Sequence, residues 1–336
     1  MGRDRAGRAA AVIGFCLAAG AGTRLVPLTR AVPKPLLAPA GRPLVDLAVE
    51  ALEAAGATRV VVNAHHGADR LIAHLAGRPG VEVVHEPQLL GTGGGLVNAA
   101  RLGLLGAGDD PVLVTAADHV VDPADLAGLA AFLDRCRAPM AAGLVPAGAD
   151  SFGLRLAGER LVRDPGGPWD SAGAYAVRAG LLAGLTPGRA DLDARVLLPL
   201  LERGELAGWA FQGPMADAGT LARLLDVSAG LLAGRWPYAL PPGHACRGVG
   251  PGPVFVGQEA AVDPAAVLAG PVLVDAGARV GPGAVVTRAV VGPGAVVGPG
   301  ARVAGSFLGP GAQVPPGARA VAALVPAPEH DPDPAG

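Results

Sequence analysis

Six Gly-Ala pairs near the C-terminus constrain this chain more than any other feature. Gly277, Gly283, Gly294, Gly300, Gly311 and Gly317 are each followed by Ala, at spacings of 6, 11, 6, 11 and 6 residues. Apolar residues recur at hexapeptide intervals between them, as in VGPGAVVGPGARV over Val291–Val303. One inward apolar side chain per hexapeptide, with a small residue at each corner, is the pattern of a parallel β-helix. The alternation of six and eleven predicts coils of three hexapeptides, one of them shortened by a residue. The repeat is placed at 249–322. Before it, 234–248 (GRWPYALPPGHACRG) has the composition of a linker. After it, 323–336 is expected to be a disordered tail.

Upstream the periodicity is of another kind. Short apolar runs alternate with stretches of helical spacing: strands are expected at Val12–Leu17, Arg59–Asn63, Val81–His85 and Pro111–Ala116. Helices are expected at Pro43–Ala55, Ala68–Ala76 and Gly94–Leu105, and alternation of this kind implies βαβ units in a mainly parallel α/β sheet. From 121 to 233 the pattern is weaker. Helices are expected at Asp122–Arg137, Asp193–Arg203 and Thr220–Ala233, with short strands around Met140–Val145, Gly153–Leu156 and Ala172–Val177. Ligands of parallel sheets bind beyond the carboxyl ends of the strands, so the loops beginning at Ala18, Glu86 and Ala117 are where chemistry belongs.

The bulk numbers exclude several classes. Hydrophobic residues make up 51% and aromatics 3%, so the core is built from Ala, Val and Leu. A net charge of −2 gives no footprint for nucleic acid or an anionic membrane. Three scattered cysteines fit a reducing cytoplasm rather than a disulfide framework. Arg3, Arg5 and Arg8 precede an apolar stretch and resemble the start of a secretory signal, but that stretch leads as a strand into a glycine-rich loop. Residues 1–10 are therefore assigned to a disordered tail and 11–233 to one domain. No apolar run approaches the ~18 residues of a membrane span.

The loop after the first strand reads LAAGAGTRLVPLTRAVPKPLL (Leu17–Leu37). Leu17, Ala18, Ala19, Gly20, Ala21, Gly22 and Thr23 offer backbone N–H groups with little side chain in the way, a cradle for phosphate oxygens. Arg24 and Lys34 add positive charge, and Lys34 is the only lysine in the chain. A position where Arg has not replaced Lys points to a need for an ammonium on a flexible stem. No Gly-Lys-Ser/Thr follows, so this is not a P-loop, nor does it fit the dinucleotide fingerprint.

Taken whole, the text resembles the sugar-phosphate nucleotidyltransferase family, which opens with L-A-A-G-x-G-T-R-L and continues with P-L-T and P-K-P-L at the spacing seen here. The resemblance runs through Asn63-Ala-His-His and LGTGGG (Leu90–Gly95) to FQGPMADAGT (Phe211–Thr220). It is nearest to the mannose-1-phosphate guanylyltransferase and muramate-phosphate uridylyltransferase branches. It implies a Rossmann-like nucleotidyltransferase domain followed by a left-handed parallel β-helix. The implied partners are a nucleoside triphosphate and a sugar 1-phosphate, with Mg²⁺ as cofactor. By position, Arg24 and Lys34 would hold the triphosphate, while Asp118 and Asp217 would be the metal-binding carboxylates. Gly91 and Thr92 would join the nucleotide site, and Gly153, Asp164 and Gly173 would face the sugar phosphate. The β-helix is expected to serve self-association rather than chemistry.

Some positions depart from the family pattern. Ala116-Ala117 stands where the family places Gly before its first metal aspartate. Val162-Arg163-Asp164-Pro165 lacks the Lys of the family's Glu-Lys-Pro segment, so Arg163 or Arg178 is the substitute candidate for the sugar's phosphate. Glu86 is a candidate base reader, because a carboxylate can accept both N1–H and the 2-amino group of guanine, which favours GTP. The alternative is that Glu86 faces solvent and the backbone selects the base. Other functions stay open at this point: an acyltransferase built on the hexapeptide repeat, a non-catalytic nucleotide-sugar sensor, or a cofactor nucleotidyltransferase. The first lacks a histidine between 249 and 322 to act as base.

Overall fold

The computed structural model describes residues 11–149, 151–246, 248 and 250–328. The expected N-terminal tail over 1–10 and residues 329–336 of the C-terminal one lie outside these. The chain divides into two compact units. One takes the residues up to Ala21 together with Val45–Met215, and the other takes Gly22–Leu44 together with the chain from Ala216 onward.

The first unit is a mixed α/β layer structure. Its strands are β1 (Val12–Leu17), β2 (Ala57–Ala64), β3 (Val81–His85), β4 (Pro111–Ala116), β5 (His119–Val121), β6 (Met140–Pro146), β7 (Leu154–Ala157), β8 (Arg160–Arg163), β9 (Trp169–Arg178) and β10 (Leu206–Ala210). All but β5 form one sheet in the order β3-β2-β1-β4-β9-β6-β10-β8-β7. The β3-β2-β1-β4 half is parallel throughout. It is built from apolar runs such as VIGFCL, whose four central residues are buried. That is the signature of a strand covered on both faces. Strand β9 runs antiparallel between β4 and β6, and β6 pairs parallel with β10. The core joins Phe15, Val61 and Val114 of the parallel half to Leu96, Met140, Tyr175 and Val196.

Helix Pro123–Cys136 follows its sequence signals: Asp122 Oδ1 accepts from Ala124 N at 2.9 Å, with Pro at the first helical position. Helix Gly91–Arg101 departs from them, beginning three residues before the expected Gly94. Intrinsic propensity disfavours GTGGG as a first turn, and tertiary packing overrides it. A Cβ at Gly91 would stand 2.7 Å from Ala190 O, one at Gly94 2.6 Å from Gly188 O, and one at Gly95 2.5 Å from Glu86 Oε1. The glycines let this helix seat against the backbone of 188–191, whose Ala190 carbonyl accepts from Gly93 N and Gly94 N.

In the second unit the chain after 250 winds as a parallel coil. Registers such as Val290↔Phe307 and Phe307↔Leu324 advance by seventeen residues, the six-plus-eleven of the sequence. The first coil is a residue longer, with Val256 paired to Val274. All six repeat glycines adopt φ between 64 and 69°. The alanines after the first five of them have no exposed surface. Pairing continues to Leu324–Val325, beyond the expected end at 322. Within the expected linker, Gly243–Cys246 is a strand antiparallel to Val254–Gly257.

Helix Leu221–Leu232 and the segment 22–44 belong to this unit, so its extent differs from a single cut after 233. Asp226 of the helix pairs with Arg288 of the coil at 2.7 Å. In segment 22–44, Leu28 is buried with a methyl close to the α-carbon of Gly309, and Arg42 donates to Ala239 O. Among the described residues no helix is long and apolar enough to cross a membrane.

Candidate active site

The parallel strands of the first unit end side by side, and a chain of buried hydrogen bonds ties their ends together. Ala18 N, just past β1, donates to Asn63 Oδ1 at 2.8 Å. Asn63 Nδ2, on β2, donates to Glu86 Oε1 at 2.7 Å, and Leu90 N donates to Glu86 Oε2 at 3.2 Å. Ala117 N, past β4, donates to Leu17 O. Ala18 and Ala19 are buried, while Gly20 is exposed and a Cβ there would meet nothing within 4 Å. The backbone at Gly20 therefore faces open space, as a phosphate cradle requires.

This network corrects the reading of Glu86 as a base reader. Its side chain is 1% exposed, and each carboxylate oxygen already accepts a donor from the protein. Nor does Glu86 face solvent, as the alternative had it. It is a strut between the loop after β1 and the start of helix Gly91–Arg101. Thr92 is likewise engaged, its Oγ1 accepting from Leu192 N at 2.9 Å.

Asp118 stands at the end of β4 with its side chain 22% exposed, 3.9 Å from His119 Nε2. Its charge, after burial as the larger cause, pushes the Cys16 thiol far up, so that cysteine stays protonated and is no nucleophile. Gly173 has φ 65°, and the His119 ring occupies the space a side chain there would need. Gly153 (φ 73°) lies against Asp164 in the same way: its carbonyl accepts from Asp164 N, and the Asp164 carbonyl would collide with any Cβ. The Asp164 carboxylate accepts from Arg155 Nε at 3.2 Å and from Gly166 N at 3.3 Å. Of the two candidate substitutes for the missing Lys, Arg178 is excluded. Its guanidinium donates to Asp109 O, Leu133 O and Asp134 Oδ1 and ties helix Pro123–Cys136 to the loop at Asp109. Arg163 stacks on Phe152, 4.7 Å from the ring centre.

The second unit gathers the remaining charged candidates. Gly22 is left-handed (φ 63°), and its carbonyl accepts from Thr29 Oγ1 at 3.0 Å. A Cβ at Gly22 would sit 2.9 Å from Lys34 Cβ, so the lysine stem packs beneath this turn. A Cβ at Gly219 would stand 2.7 Å from Asp217 Oδ1 and 2.8 Å from Arg24 Nη2, so both charged groups crowd over that glycine. Asp217 Oδ1 also accepts from Gly219 N, and Asp217 Oδ2 pairs with Arg223 Nη1 at 2.6 Å. That hydrogen bond and the aspartate's charge raise the Arg223 pKa. Sequence reading missed Arg223; its place in the first turn of helix Leu221–Leu232, six residues after Asp217, was the available signal.

The carboxylates of Asp118 and Asp217 are hard oxygen donors, each part-exposed and reachable from solvent. Either carboxylate by itself suits a Mg²⁺-like ion that keeps water and takes one or two carboxylates alongside phosphate oxygens. Among the described residues no group of three or more His, Cys, Asp or Glu side chains is gathered for a metal.

Comparison with known proteins bears on the family of the chain. The family model described as Nucleotidyl transferase matches residues 13–151. A mannose-1-phosphate guanylyltransferase of Mycobacterium tuberculosis is 32% identical over 293 residues, covering 82% of this chain and 78% of that protein. An N-acetylmuramate alpha-1-phosphate uridylyltransferase of Neisseria meningitidis serogroup B is 32% identical over 235 residues, 66% of this chain and 97% of that protein. One from Caulobacter vibrioides is 43% identical over 115 residues, 32% of this chain and 46% of that protein. With a glycine-rich turn at the end of β1, Arg24 and Asp217 over one glycine, and alignment to such an enzyme over most of its length, the chain belongs to the sugar-phosphate nucleotidyltransferase family and is a nucleotidyltransferase acting on a sugar 1-phosphate.

Proposed function

We propose that the enzyme transfers GMP from GTP to a hexose 1-phosphate, with mannose 1-phosphate the first acceptor to test. An oxygen of the sugar phosphate attacks the α-phosphorus of the triphosphate. A new phosphoanhydride bond forms there, and the bond to the bridging α–β oxygen breaks with release of pyrophosphate. The acceptor is already anionic at neutral pH, so no general base is needed. Positioning and charge stabilisation do the catalysis. Backbone N–H groups at Ala19–Gly22 bind the triphosphate. Arg24 and Lys34 stabilise the charge that develops on it.

Asp118 and Asp217 are each proposed as a Mg²⁺ ligand, and the ion would supply charge neutralisation for the triphosphate and the leaving pyrophosphate. Arg223 pairs with Asp217 at 2.6 Å and orients its carboxylate. The observation that carries this reading is the crowding of the Arg24 guanidinium and the Asp217 carboxylate over Gly219. That is a cation and a metal-type ligand at one spot, as a triphosphate requires. The choice of GTP follows the guanylyltransferase relative, 32% identical over 82% of the chain, although the Neisseria uridylyltransferase is equally identical over 66%. Glu86 no longer supports it. The coil is proposed as the surface for self-association.

The test is pyrophosphate release with each of GTP, UTP, dTTP, ATP and CTP, with Mg²⁺ and a panel of sugar 1-phosphates. Sugar-dependent release with GTP is the expected result. Release with UTP alone would transfer the enzyme to the uridylyl branch. Triphosphate binding without turnover on any sugar would replace the enzyme with a sensor.

A further inference from the structure

The hydrogen-bond chain across the ends of β1, β2 and β3 has a direction, and the direction dictates which side chains can form it. Ala18 N at one end and Leu90 N at the other are both donors, 2.8 Å from Asn63 Oδ1 and 3.2 Å from Glu86 Oε2. Between them Asn63 turns its amino group to Glu86 Oε1, at 2.7 Å. With a backbone donor at each end, the middle needs one amide and one double acceptor, and Asn63 with Glu86 supplies that set. Two amides would satisfy at most two of the three bonds, because one amino group would meet an N–H however the pair was turned. Asn63 and Glu86 are 2% and 1% exposed, so bulk water does not stand in for a missing partner. Gly95 leaves room for them: a Cβ there would stand 2.5 Å from Glu86 Oε1 and 2.6 Å from Asn63 Nδ2. The Glu86 backbone is fixed as well, its N donating to Ala64 O at 2.7 Å and its carbonyl lying 2.8 Å from His65 Nδ1. A mismatch between the two side chains therefore has little slack to absorb it.

We propose that Asn63 is a positioning residue for the triphosphate. Through this polarised chain it sets the spacing between the phosphate loop after β1 and Gly91–Thr92, and it does so for every base alike. The proposal rests on the reading of that loop as the triphosphate cradle. Ala18 N is spent on Asn63, which anchors the start of the loop while the backbone at Gly20 faces open space. At the other end, Leu90 directly precedes helix Gly91–Arg101, whose N-terminal end favours the negative charge of Glu86. Both side chains are too deeply buried to read a base, so their effect passes through the backbone they hold. Displacement of that backbone by a fraction of an ångström is enough to weaken a phosphate site.

The test exchanges the two side-chain types. Glu86→Gln leaves one donor facing another, and Asn63→Asp sets two carboxylates against each other. Each alone is expected to raise the triphosphate KM about tenfold or more, with the preference among triphosphates unchanged. The double variant Asn63→Asp/Glu86→Gln keeps the net charge and restores all three bonds. The new carboxylate at position 63 accepts from Ala18 N and from the new amide at position 86, whose oxygen accepts from Leu90 N. Its triphosphate KM is expected within about threefold of wild type. A role in stability alone would lower the folded fraction, and so kcat per mole of protein, while leaving KM where it was. A thermal unfolding scan accompanies each variant. If a single variant does not fold, the double variant decides: a wild-type KM supports the polarity, and a lost fold or a raised KM overturns it. A changed preference among triphosphates in Glu86→Gln, a wild-type KM in folded single variants, or a double variant no better than the poorer single one overturns the proposal and leaves the reaction intact. Silence of the wild type with every sugar 1-phosphate overturns the reaction instead. The ranking of variants is then read from the Kd for GTP with Mg²⁺, and equal values across the variants overturn the proposal too.

Discussion

Gly219 has no side chain because two charged groups already occupy the space one would need. At the scale of single residues this is the most testable feature of the enzyme. Gly219→Ala would force Arg24 Nη2 or Asp217 Oδ1, at 2.8 and 2.7 Å from the new methyl, to move by several tenths of an ångström. Charge stabilisation depends on placement at that level. Turnover is expected to fall by about tenfold to a hundredfold, while the midpoint of thermal unfolding changes little because the position lies outside any strand or helix. Wild-type turnover in Gly219→Ala would detach this constellation from catalysis. The motif residues themselves were legible: AGAGTR, PKP and MADAGT stand out as text. Their engagements were not. Glu86, Thr92 and Arg178 have the residue types of ligand-binding groups, yet each is spent on the protein. Sequence gives a side chain's chemistry but not whether a neighbour has already claimed it.

Among the elements, strands buried on both faces were readable to within a residue or two, since VIGFCL and PVLVTA are uninterrupted apolar runs. Strands β8 and β10 were not. RLVR and LAGWA carry no alternation or run long enough to register, and Gly208 makes their packing possible by leaving room for the methyls of Leu161, Leu144 and Leu156. The first turn of helix Gly91–Arg101 fails for the complementary reason: a local rule against glycine is overruled by contacts distant in sequence.

The coil contains another conflict of this kind. Asp275 is 4% exposed, with Oδ1 accepting from Ala276 N at 2.7 Å and Oδ2 buried without a hydrogen-bond partner. Burial raises its pKa, against a smaller lowering by the Ala276 hydrogen bond. A carboxyl that binds its proton more tightly folded than unfolded costs stability as the pH rises from the ordinary aspartate range through the folded-state pKa, and the loss is complete above it. Asp275→Asn removes that ionisation. The variant's unfolding midpoint relative to wild type is therefore expected to be higher at pH 8 than at pH 4. A difference independent of pH would show that folding leaves the affinity of this carboxyl for its proton unchanged.

At the scale of the whole molecule, the repeat announced itself and its register followed from the spacing, because small-residue corners are a local requirement. What the spacing could not show is that segment 22–44, with Arg24 and Lys34, belongs to the same compact unit as the coil. Gly41 lies against the Asp275 carboxylate, and Leu28 against Gly309. A repeat reserved for assembly would be dispensable for turnover. Since segment 22–44 packs on it, deletion of 249–336 is expected to cut pyrophosphate release by about tenfold or more, beyond any change of oligomeric state. Release assays run beside sedimentation would separate the two, and a fully active truncated monomer would return the coil to assembly alone.

The seventeen-residue advance also governs how the C-terminal half can change length. Each buried valine or alanine stands directly above its counterpart one coil earlier. Inserting one or two residues within a face would rotate every later side chain out of line, so the inward stack would be interrupted from that point to the end. Adding or removing a whole coil leaves every stack in line. The length of this half is therefore quantised: related chains, and engineered ones, can shorten or extend it in steps of one coil and tolerate intermediate insertions only as loops that leave at a corner.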